Sequence, residues 1–156
     1  MRKLVIGCGP GWKEQKERYK EQGIDAVSID IIPEFEPDYV ADIQVSPLPG
    51  PFDEIEAYHV LEHIQLNKDF KRIMWECFNS LVPGGILDIA VPHKDSPAAY
   101  QCYEHTRFFI EDSFMNFYEN PYAKEMDLPL FEKVVNELRP KDGGQEVHVI
   151  LRRPLV

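Results

Sequence analysis

The sequence predicts an α/β fold: a doubly wound, mostly parallel β-sheet with helices on both faces and a C-terminal antiparallel hairpin. Short apolar runs alternate with polar or amphipathic stretches through residues 3–91, which is the pattern of successive βα units. The first run ends directly in a glycine-rich loop with Gly7, Gly9 and Gly11, where a parallel strand would turn toward its helix. Near the C-terminus, two strand-like segments flank Lys141-Asp142-Gly143-Gly144, a composition typical of a hairpin turn.

Four of the predicted strands lie in the first part of the chain. Apolar runs place them at residues 3–6, Ala26–Asp30, about Val40–Ile43 and about Glu54–Tyr58. The connection Lys13–Gln22 is polar on every face, and Glu14 and Arg18 stand at the i, i+4 spacing. We therefore expect a short, exposed helix here, because a full crossover helix would carry an apolar stripe.

The clearest helix of the sequence lies between Asn67 and Leu81. Its apolar residues recur at helical spacing, at Phe70, Ile73, Met74, Cys77, Phe78 and Leu81. Asn67 is the predicted N-cap, and Pro83-Gly84-Gly85 predicts a turn before a fifth strand, Ile86–Val91. Three further elements are predicted beyond it: a helix over 113–118 and the two hairpin strands, Phe131–Leu138 and Glu146–Arg153.

Composition narrows the class of protein. The 156 residues suit a single domain, 1–156, and no apolar stretch approaches the ~18 residues of a membrane span. The net charge of −10, from 27 acidic and 17 basic residues, disfavours nucleic acid as a partner because phosphates would be repelled. Cys8, Cys77 and Cys102 form an odd set without ligand-like spacing, which predicts reduced thiols in a cytoplasmic protein. Nothing in the pattern points to a particular oligomeric state.

A glycine-rich loop and a distant carboxylate together indicate a nucleoside-binding site. Glycines after the first strand allow a sharp turn and let a bulky ligand lie against bare main chain. The second strand ends in Asp30, whose carboxylate can accept hydrogen bonds from two vicinal ribose hydroxyls. Asp42 can accept a hydrogen bond from an exocyclic amine such as that of adenine, or else it serves the turn before a proline-rich loop.

Four blocks of the sequence, in order, resemble the class I S-adenosylmethionine-dependent methyltransferases, which have a Rossmann-like fold. The blocks are Gly7-Cys8-Gly9-Pro10-Gly11, Ser28-Ile29-Asp30-Ile31, Ala41-Asp42-Ile43, and Phe52–Ile55 through His59-Val60-Leu61-Glu62-His63 with 81–87. Tyr103–Phe109 is similar to a segment that follows the fifth strand in some members. The resemblance implies S-adenosyl-L-methionine as the cofactor, bound by Gly7, Cys8, Gly9, Pro10, Gly11, Trp12, Asp30, Ile31, Asp42, Ile43, His59, Val60 and Leu61.

The resemblance also implies a reaction, the transfer of the sulfonium methyl group to a nucleophile on a small-molecule or protein acceptor. Much of the catalysis in such a transfer comes from positioning the two reactants. The candidate catalytic residues are His63, Glu62 and His105 as bases, with Arg107 orienting an anionic acceptor. For His105 and Arg107, a salt-bridging surface loop is the alternative interpretation.

A second function agrees with the same motifs: a catalytically inactive S-adenosylmethionine-binding module that acts as a partner or regulatory subunit. Val5 stands two residues before Gly7, where the resembled family usually has Asp or Glu. This residue and the polar first helix favour the inactive alternative. Methyl transfer to added acceptors distinguishes the two hypotheses, because both require the cofactor to bind.

Two other classes of protein fit the sequence less well. His59-Val60-Leu61-Glu62-His63 reads H-x-x-E-H, which is also the signature of a class of zinc protease. The motif falls where a strand ends, so the two imidazoles are not expected to share one helix face, and no metal site is predicted. A nicotinamide-dependent dehydrogenase would require a glycine at position 12 of its phosphate-binding loop, and Trp12 stands there.

Overall fold

The computed structural model describes residues 1–156, and all seven of its strands belong to one sheet. The strands are β1 (Arg2–Ile6), β2 (Asp25–Asp30), β3 (Tyr39–Val40), β4 (Phe52–Tyr58), β5 (Leu81–Pro92), β6 (Glu132–Lys141) and β7 (Gly144–Arg152). The two α-helices are α1 (Trp12–Glu21) and α2 (Asn67–Ser80). Four short 3₁₀ helices cover Pro33–Phe35, Leu61–His63, Pro97–Tyr100 and Glu111–Phe117. None of the helices is both long enough and apolar enough to cross a membrane.

The strand order is β3-β2-β1-β4-β5-β7-β6. Strands β1 to β5 pair in parallel, whereas β7 pairs antiparallel with both β5 and β6. The chain moves outward from β1 to β3 and then returns to β4 on the other side of β1. Loops that leave the carboxyl ends of β1 and β4 therefore diverge, and this leaves a crevice between them. The predicted doubly wound sheet with its C-terminal hairpin is confirmed.

The two α-helices lie on opposite faces of the sheet and bury unequal amounts of apolar surface. Leu4 and Ile6 of β1 belong to a core cluster of 24 buried residues that includes the apolar face of α2. Val5, between them in the strand, points to the other face and packs with Trp12 of α1 and Ala26 in a cluster of three. Helix α1 buries only Trp12, in agreement with the short, exposed helix that its polar sequence predicts.

The third strand is shorter than its sequence suggests. A strand is expected over Val40–Ile43, but β3 ends at Val40. The backbone carbonyl of Asp42 instead accepts hydrogen bonds from the N–H groups of Val45 and Ser46, which closes a turn. Asp42 is thereby held at the end of the sheet and not within a strand.

Two predictions about helices, the N-cap of α2 and the helix over 113–118, differ from the structure. The N-cap of α2 is Leu66, and the Asn67 side chain instead accepts a hydrogen bond of 2.8 Å from the Arg107 guanidinium. The segment predicted as a helix over 113–118 is the 3₁₀ helix Glu111–Phe117. Its Phe114 ring stacks on Phe109 with 5.4 Å between ring centroids, so this segment covers the α2 side of the core.

Candidate functional site

A cavity of about 430 Å³ opens at the carboxyl ends of β1, β2 and β4, where ligands bind in open α/β sheets. Its lining contains residues of the first three sequence blocks and of the H-x-x-E-H segment. The predicted cofactor residues that it brings together are Gly7, Gly9, Asp30, Ile31, Asp42, Ile43, His59 and Val60. Residues separated by about 50 positions in the chain thus line one cavity, at the place where the crevice of the sheet is expected.

The loop after β1 requires glycine at its first position. Gly7 has a φ angle of 67°, its N–H donates to the Ile29 carbonyl at 2.8 Å, and a Cβ atom placed on it would lie 2.4 Å from Val60 Cγ2. Gly9 also has a positive φ angle, 64°, but a Cβ atom there would meet nothing within 4 Å. The backbone at Gly9 is therefore open to a ligand, as the glycine pattern predicts.

Asp30 is fixed at the floor of the cavity by main-chain donors. Its Oδ2 accepts a hydrogen bond from the Gly9 N–H at 3.1 Å, and its Oδ1 accepts one from the Ile32 N–H at 2.9 Å. Each carboxylate oxygen can accept a second hydrogen bond, so both retain one acceptor position. The carboxylate is thus held in one orientation while it keeps the capacity to bind two hydroxyl groups.

Asp42 lines the cavity while it also organises the turn that follows β3. Its Oδ1 accepts a hydrogen bond from the Gln44 N–H at 2.8 Å, and Arg72 of α2 donates to the neighbouring Ile43 carbonyl at 2.8 Å. Both interpretations of Asp42 are therefore compatible with its position, because the turn itself carries the carboxylate to the cavity. Ile43 and Ile29, both buried, add an apolar surface between Asp30 and Asp42.

The H-x-x-E-H segment also lines the cavity, and it is not one helix. His59 follows β4 with a φ angle of 56°, and His63 ends the 3₁₀ helix Leu61–His63. His59 Nε2 lies 3.0 Å from a Glu146 oxygen, and its Nδ1 lies 3.7 Å from Glu62 Oε1. Glu62 raises the pKa of His59 above its ordinary value; burial opposes this shift, and Glu146 adds to it. The arrangement therefore favours a protonated His59 between two carboxylates.

Of the four predicted catalytic residues, only His63 lines the cavity. Glu62 is 1% exposed beneath it, and His105 lies beside His63 with 4.6 Å between ring centroids. Arg107 points elsewhere: its Nε donates to the Ile64 carbonyl at 2.6 Å and its guanidinium lies 4.6 Å from the centre of the Phe70 ring. These contacts hold Arg107 as a brace between the loop after β5 and α2, and its role in orienting an acceptor stays a prediction.

Five of the predicted cofactor residues lie outside the cavity, namely Cys8, Pro10, Gly11, Trp12 and Leu61. Trp12 is buried beneath α1, where its indole N–H donates to Asp38 at 3.2 Å, and Cys8 packs against the same small cluster. Leu61 belongs to the main core. Trp12 and Leu61 are thus core residues, whereas Pro10 and Gly11 are exposed, and the linear motif does not distinguish either position from contact with a ligand.

The cavity also contains side chains that the sequence analysis does not assign to it. They are Ile6, Ile29, Ile32, Phe35, Ala41, Gln44, Ile64, Gln65 and Glu104. The sequence did contain a signal that Glu104 belongs to the site, because this residue lies within the Tyr103–Phe109 block that resembles the known family. Phe35 lies in a short 3₁₀ helix of the proline-rich passage after β2, and only the folded chain brings this aromatic ring to the cavity.

No protein-family model matches the chain, and no curated protein sequence matches it either. Solved structures do resemble it. The N-methyltransferase NodS from Bradyrhizobium japonicum WM9, in complex with S-adenosyl-L-homocysteine, superposes with a TM-score of 0.69 at 16% identity over 98% of this chain and 78% of that one. A SAM-dependent methyltransferase from Archaeoglobus fulgidus gives 0.72 at 18% identity over 97% and 85%.

The [4+2]-cyclase SpnF gives a TM-score of 0.71 at 16% identity over 99% of this chain and 76% of that one. At sequence identities this low, the structural similarity shows a shared fold alone. The chain therefore has the class I methyltransferase fold, which confirms the predicted Rossmann-like architecture. The cyclase has the same fold and is named for a different activity, so the chemistry of this chain has to be argued from its site.

Proposed function

We propose that this chain binds S-adenosylmethionine in the cavity at the carboxyl ends of β1, β2 and β4 and transfers its methyl group to a nucleophile. The observation that carries the proposal is the orientation of Asp30. Two main-chain N–H groups, of Gly9 and Ile32, fix the carboxylate and leave one acceptor position on each oxygen. Two adjacent acceptors suit the vicinal hydroxyls of a ribose.

The remaining lining suits the other parts of an adenosyl group. Ile29 and Ile43 offer an apolar surface to a flat base, and Asp42 offers an acceptor to its exocyclic amine. The open backbone at Gly9 leaves room for a ligand chain to pass over the loop. NodS and a didemethyltoxoflavin N1-methyltransferase from Burkholderia thailandensis, which share the fold, were both crystallised with S-adenosylhomocysteine.

S-adenosylmethionine supplies an electrophilic methyl group on a sulfonium centre. The chain contributes the position of the two reactants, which in well-oriented reactions is worth about 7–11 kcal/mol of the barrier. His63 lines the cavity, and among the predicted bases its imidazole is the one that can receive a proton there. Glu62 and His105 lie behind His63 and act through it.

Titration calorimetry with S-adenosylmethionine and S-adenosylhomocysteine tests cofactor binding. Asp30→Ala is expected to weaken binding by about 10- to 100-fold, because hydrogen bonds to a charged group contribute about 1.5–3 kcal/mol. The matched control is Asp25→Ala, at the exposed start of the same strand, which should leave affinity unchanged. Equal affinities of the two variants for either ligand would refute the ribose assignment.

The inactive module remains the second candidate because of one observation. Val5 is 3% exposed and packs against α1, so the position at which the resembled family has an acid provides no charge here. Incubation with radiolabelled S-adenosylmethionine and separate pools of small metabolites and proteins distinguishes the two functions. Label in a product supports the enzyme, whereas calorimetric binding without labelled product supports the inactive module.

A further inference from the structure

Three side chains of metal-binding type meet at the edge of the cavity. His63 comes from the 3₁₀ helix after β4, while Cys102 and His105 belong to the loop after β5. Their ligand atoms, a ring nitrogen from each histidine and the Cys102 Sγ, all lie within 4.8 Å of one another. All three residues are partly buried, and His63 also lines the cavity.

Main-chain hydrogen bonds hold the two segments against each other. The N–H groups of Thr106 and Arg107 both donate to the Glu62 carbonyl, at 2.9 and 3.2 Å. These bonds immediately adjoin His105 on one segment and His63 on the other. The convergence of the two imidazoles therefore depends on paired backbone, and not on the chance position of flexible side chains.

The ring of His105 is oriented as that of a metal ligand. Its Nδ1 lies 3.2 Å from the Ala99 carbonyl oxygen. Because a carbonyl can only accept, Nδ1 carries the hydrogen, and in the neutral imidazole Nε2 then has the free lone pair. Metal-bound histidines characteristically donate their second ring N–H to a carbonyl or carboxylate, which fixes the tautomer in this way.

Glu62 supplies a negative charge directly behind the cluster. Its side chain is 1% exposed, and neither carboxylate oxygen has a hydrogen-bond partner. The nearest basic atoms are His59 Nδ1 at 3.7 Å and His105 Nε2 at 4.0 Å. A buried, unpartnered carboxylate is costly unless a positive charge lies close to it. His59, whose pKa Glu62 raises, lies on one side of this carboxylate, and a cation held by the cluster would lie on the His105 side of it.

We infer that His63, Cys102 and His105 bind a divalent transition-metal ion of the zinc class, with Glu62 as its charge partner. Two imidazole nitrogens and one thiolate are a donor set that suits zinc. Bonds of about 2.1 Å to nitrogen and 2.3 Å to sulfur require ligand atoms about 3.5 Å apart, so rotation of these side chains closes the site. Three protein ligands leave a fourth position, as in catalytic zinc sites.

This site differs from the H-x-x-E-H pairing considered in the sequence. His59 turns to Glu146, whereas His63 pairs with residues about 40 positions further along the chain. The sequence predicts no metal site, because residues 59–63 fall at a strand end and the three cysteines have no ligand-like spacing. The inference goes beyond the proposed methyl transfer, because metal binding here needs neither the cofactor nor an acceptor. A ring nitrogen of His63 that holds an ion cannot also receive a proton, so the proposed role of His63 as a base belongs to the metal-free chain.

Zinc titration of the full chain, prepared without a histidine tag and freed of metal, tests the inference. Competition with a chromophoric chelator should report one tightly bound equivalent. Cys102→Ser should lower zinc affinity by more than about 100-fold, since even changes behind a metal site cost about 10- to 100-fold. Cys8→Ser, at another partly buried cysteine, is the matched control and should bind as the wild type does.

Cobalt(II) provides a second readout, which can be taken from the wild-type chain alone. The wild-type chain loaded with cobalt should show a near-ultraviolet sulfur-to-metal charge-transfer band, which Cys102→Ser should lack. A wild-type chain that binds less than half an equivalent of zinc would overturn the inference. So would a cobalt spectrum without the thiolate band, or equal affinities for Cys102→Ser and Cys8→Ser. None of these outcomes bears on calorimetric binding of S-adenosylmethionine.

Discussion

The two ends of the cavity are built in different ways. At the end proposed to bind the nucleoside, main-chain N–H groups of neighbouring loops hold Asp30, and the Gly7 loop bonds to the adjacent strand. At the other end, His63 lies against side chains of the loop after β5. Arg107 attaches this loop to Ile64, 43 positions earlier in the chain. The first end is preformed by the sheet itself. The second can vary with its loops while the fold stays the same, as is common in superfolds.

The largest expected effect is the loss of folding stability when Gly7 is replaced, because its loop forms the end of the cavity that contains Asp30. Gly7→Ala combines a positive φ angle with a Cβ atom 2.4 Å from Val60, whereas Gly9→Ala has only the positive φ angle. Backbone strain costs about 1–2 kcal/mol and overpacking about 1–3 kcal/mol. In urea denaturation without ligand, we expect a loss of about 2–5 kcal/mol for Gly7→Ala and about 1–2 kcal/mol for Gly9→Ala. Equal losses would mean that Val60 does not constrain the loop.

A smaller loss of stability is expected when the Arg107 brace is removed. This change should distinguish the two ends of the cavity, because it alters only the end that contains His63. Arg107→Ala removes the hydrogen bonds to Ile64 and Asn67, and bonds to a charged donor are worth about 1.5–3 kcal/mol. We expect a stability loss of that size by denaturant unfolding, with S-adenosylmethionine affinity unchanged, because Asp30 and the Gly7 loop are untouched. Arg152→Ala, an exposed arginine of β7, is the matched control and should cost little. A large loss of cofactor affinity in Arg107→Ala would show that the two ends are coupled.

The smallest effect concerns pH at the second end. The folded-state pKa of His59 is raised above its ordinary value, chiefly by Glu62, so the folded chain holds this proton more tightly than the unfolded chain does. The stabilisation is complete below about pH 6.5, the unfolded value, and is lost as pH rises through the raised folded value. Because the ring is 38% exposed, the effect should stay below about 1 kcal/mol.

His59→Gln tests this pH dependence. The difference in unfolding free energy between wild type and variant should shrink as pH rises above 6.5, when each is measured by urea denaturation at several pH values. Subtraction of the variant removes the titration of the other histidines. A difference that grows with pH would mean that burial, and not the carboxylates, dominates at His59.

The sequence predicts the position of some site residues well and that of others poorly. Gly7, Asp30 and Asp42 could be placed at one site because the carboxyl ends of parallel strands lie at one edge of a sheet. Trp12 and Leu61 were assigned to the cofactor from the same motifs, and both are buried in packing clusters. A motif records position along the chain, but it does not record which side of α1 or of the 3₁₀ helix Leu61–His63 faces the core.

By itself the sequence determined the sheet, the hairpin and the end of the cavity that contains Gly7 and Asp30, since apolar periodicity and turn residues act over a few neighbouring positions. Only the tertiary structure decided what surrounds His63. Two hydrogen bonds, from the N–H groups of Thr106 and Arg107 to the Glu62 carbonyl, bring the loop with Cys102 and His105 to His63. No local sequence pattern specifies such a contact. Arg107 became a brace for the same reason, because its partners on α2 are set by how the loop after β5 packs.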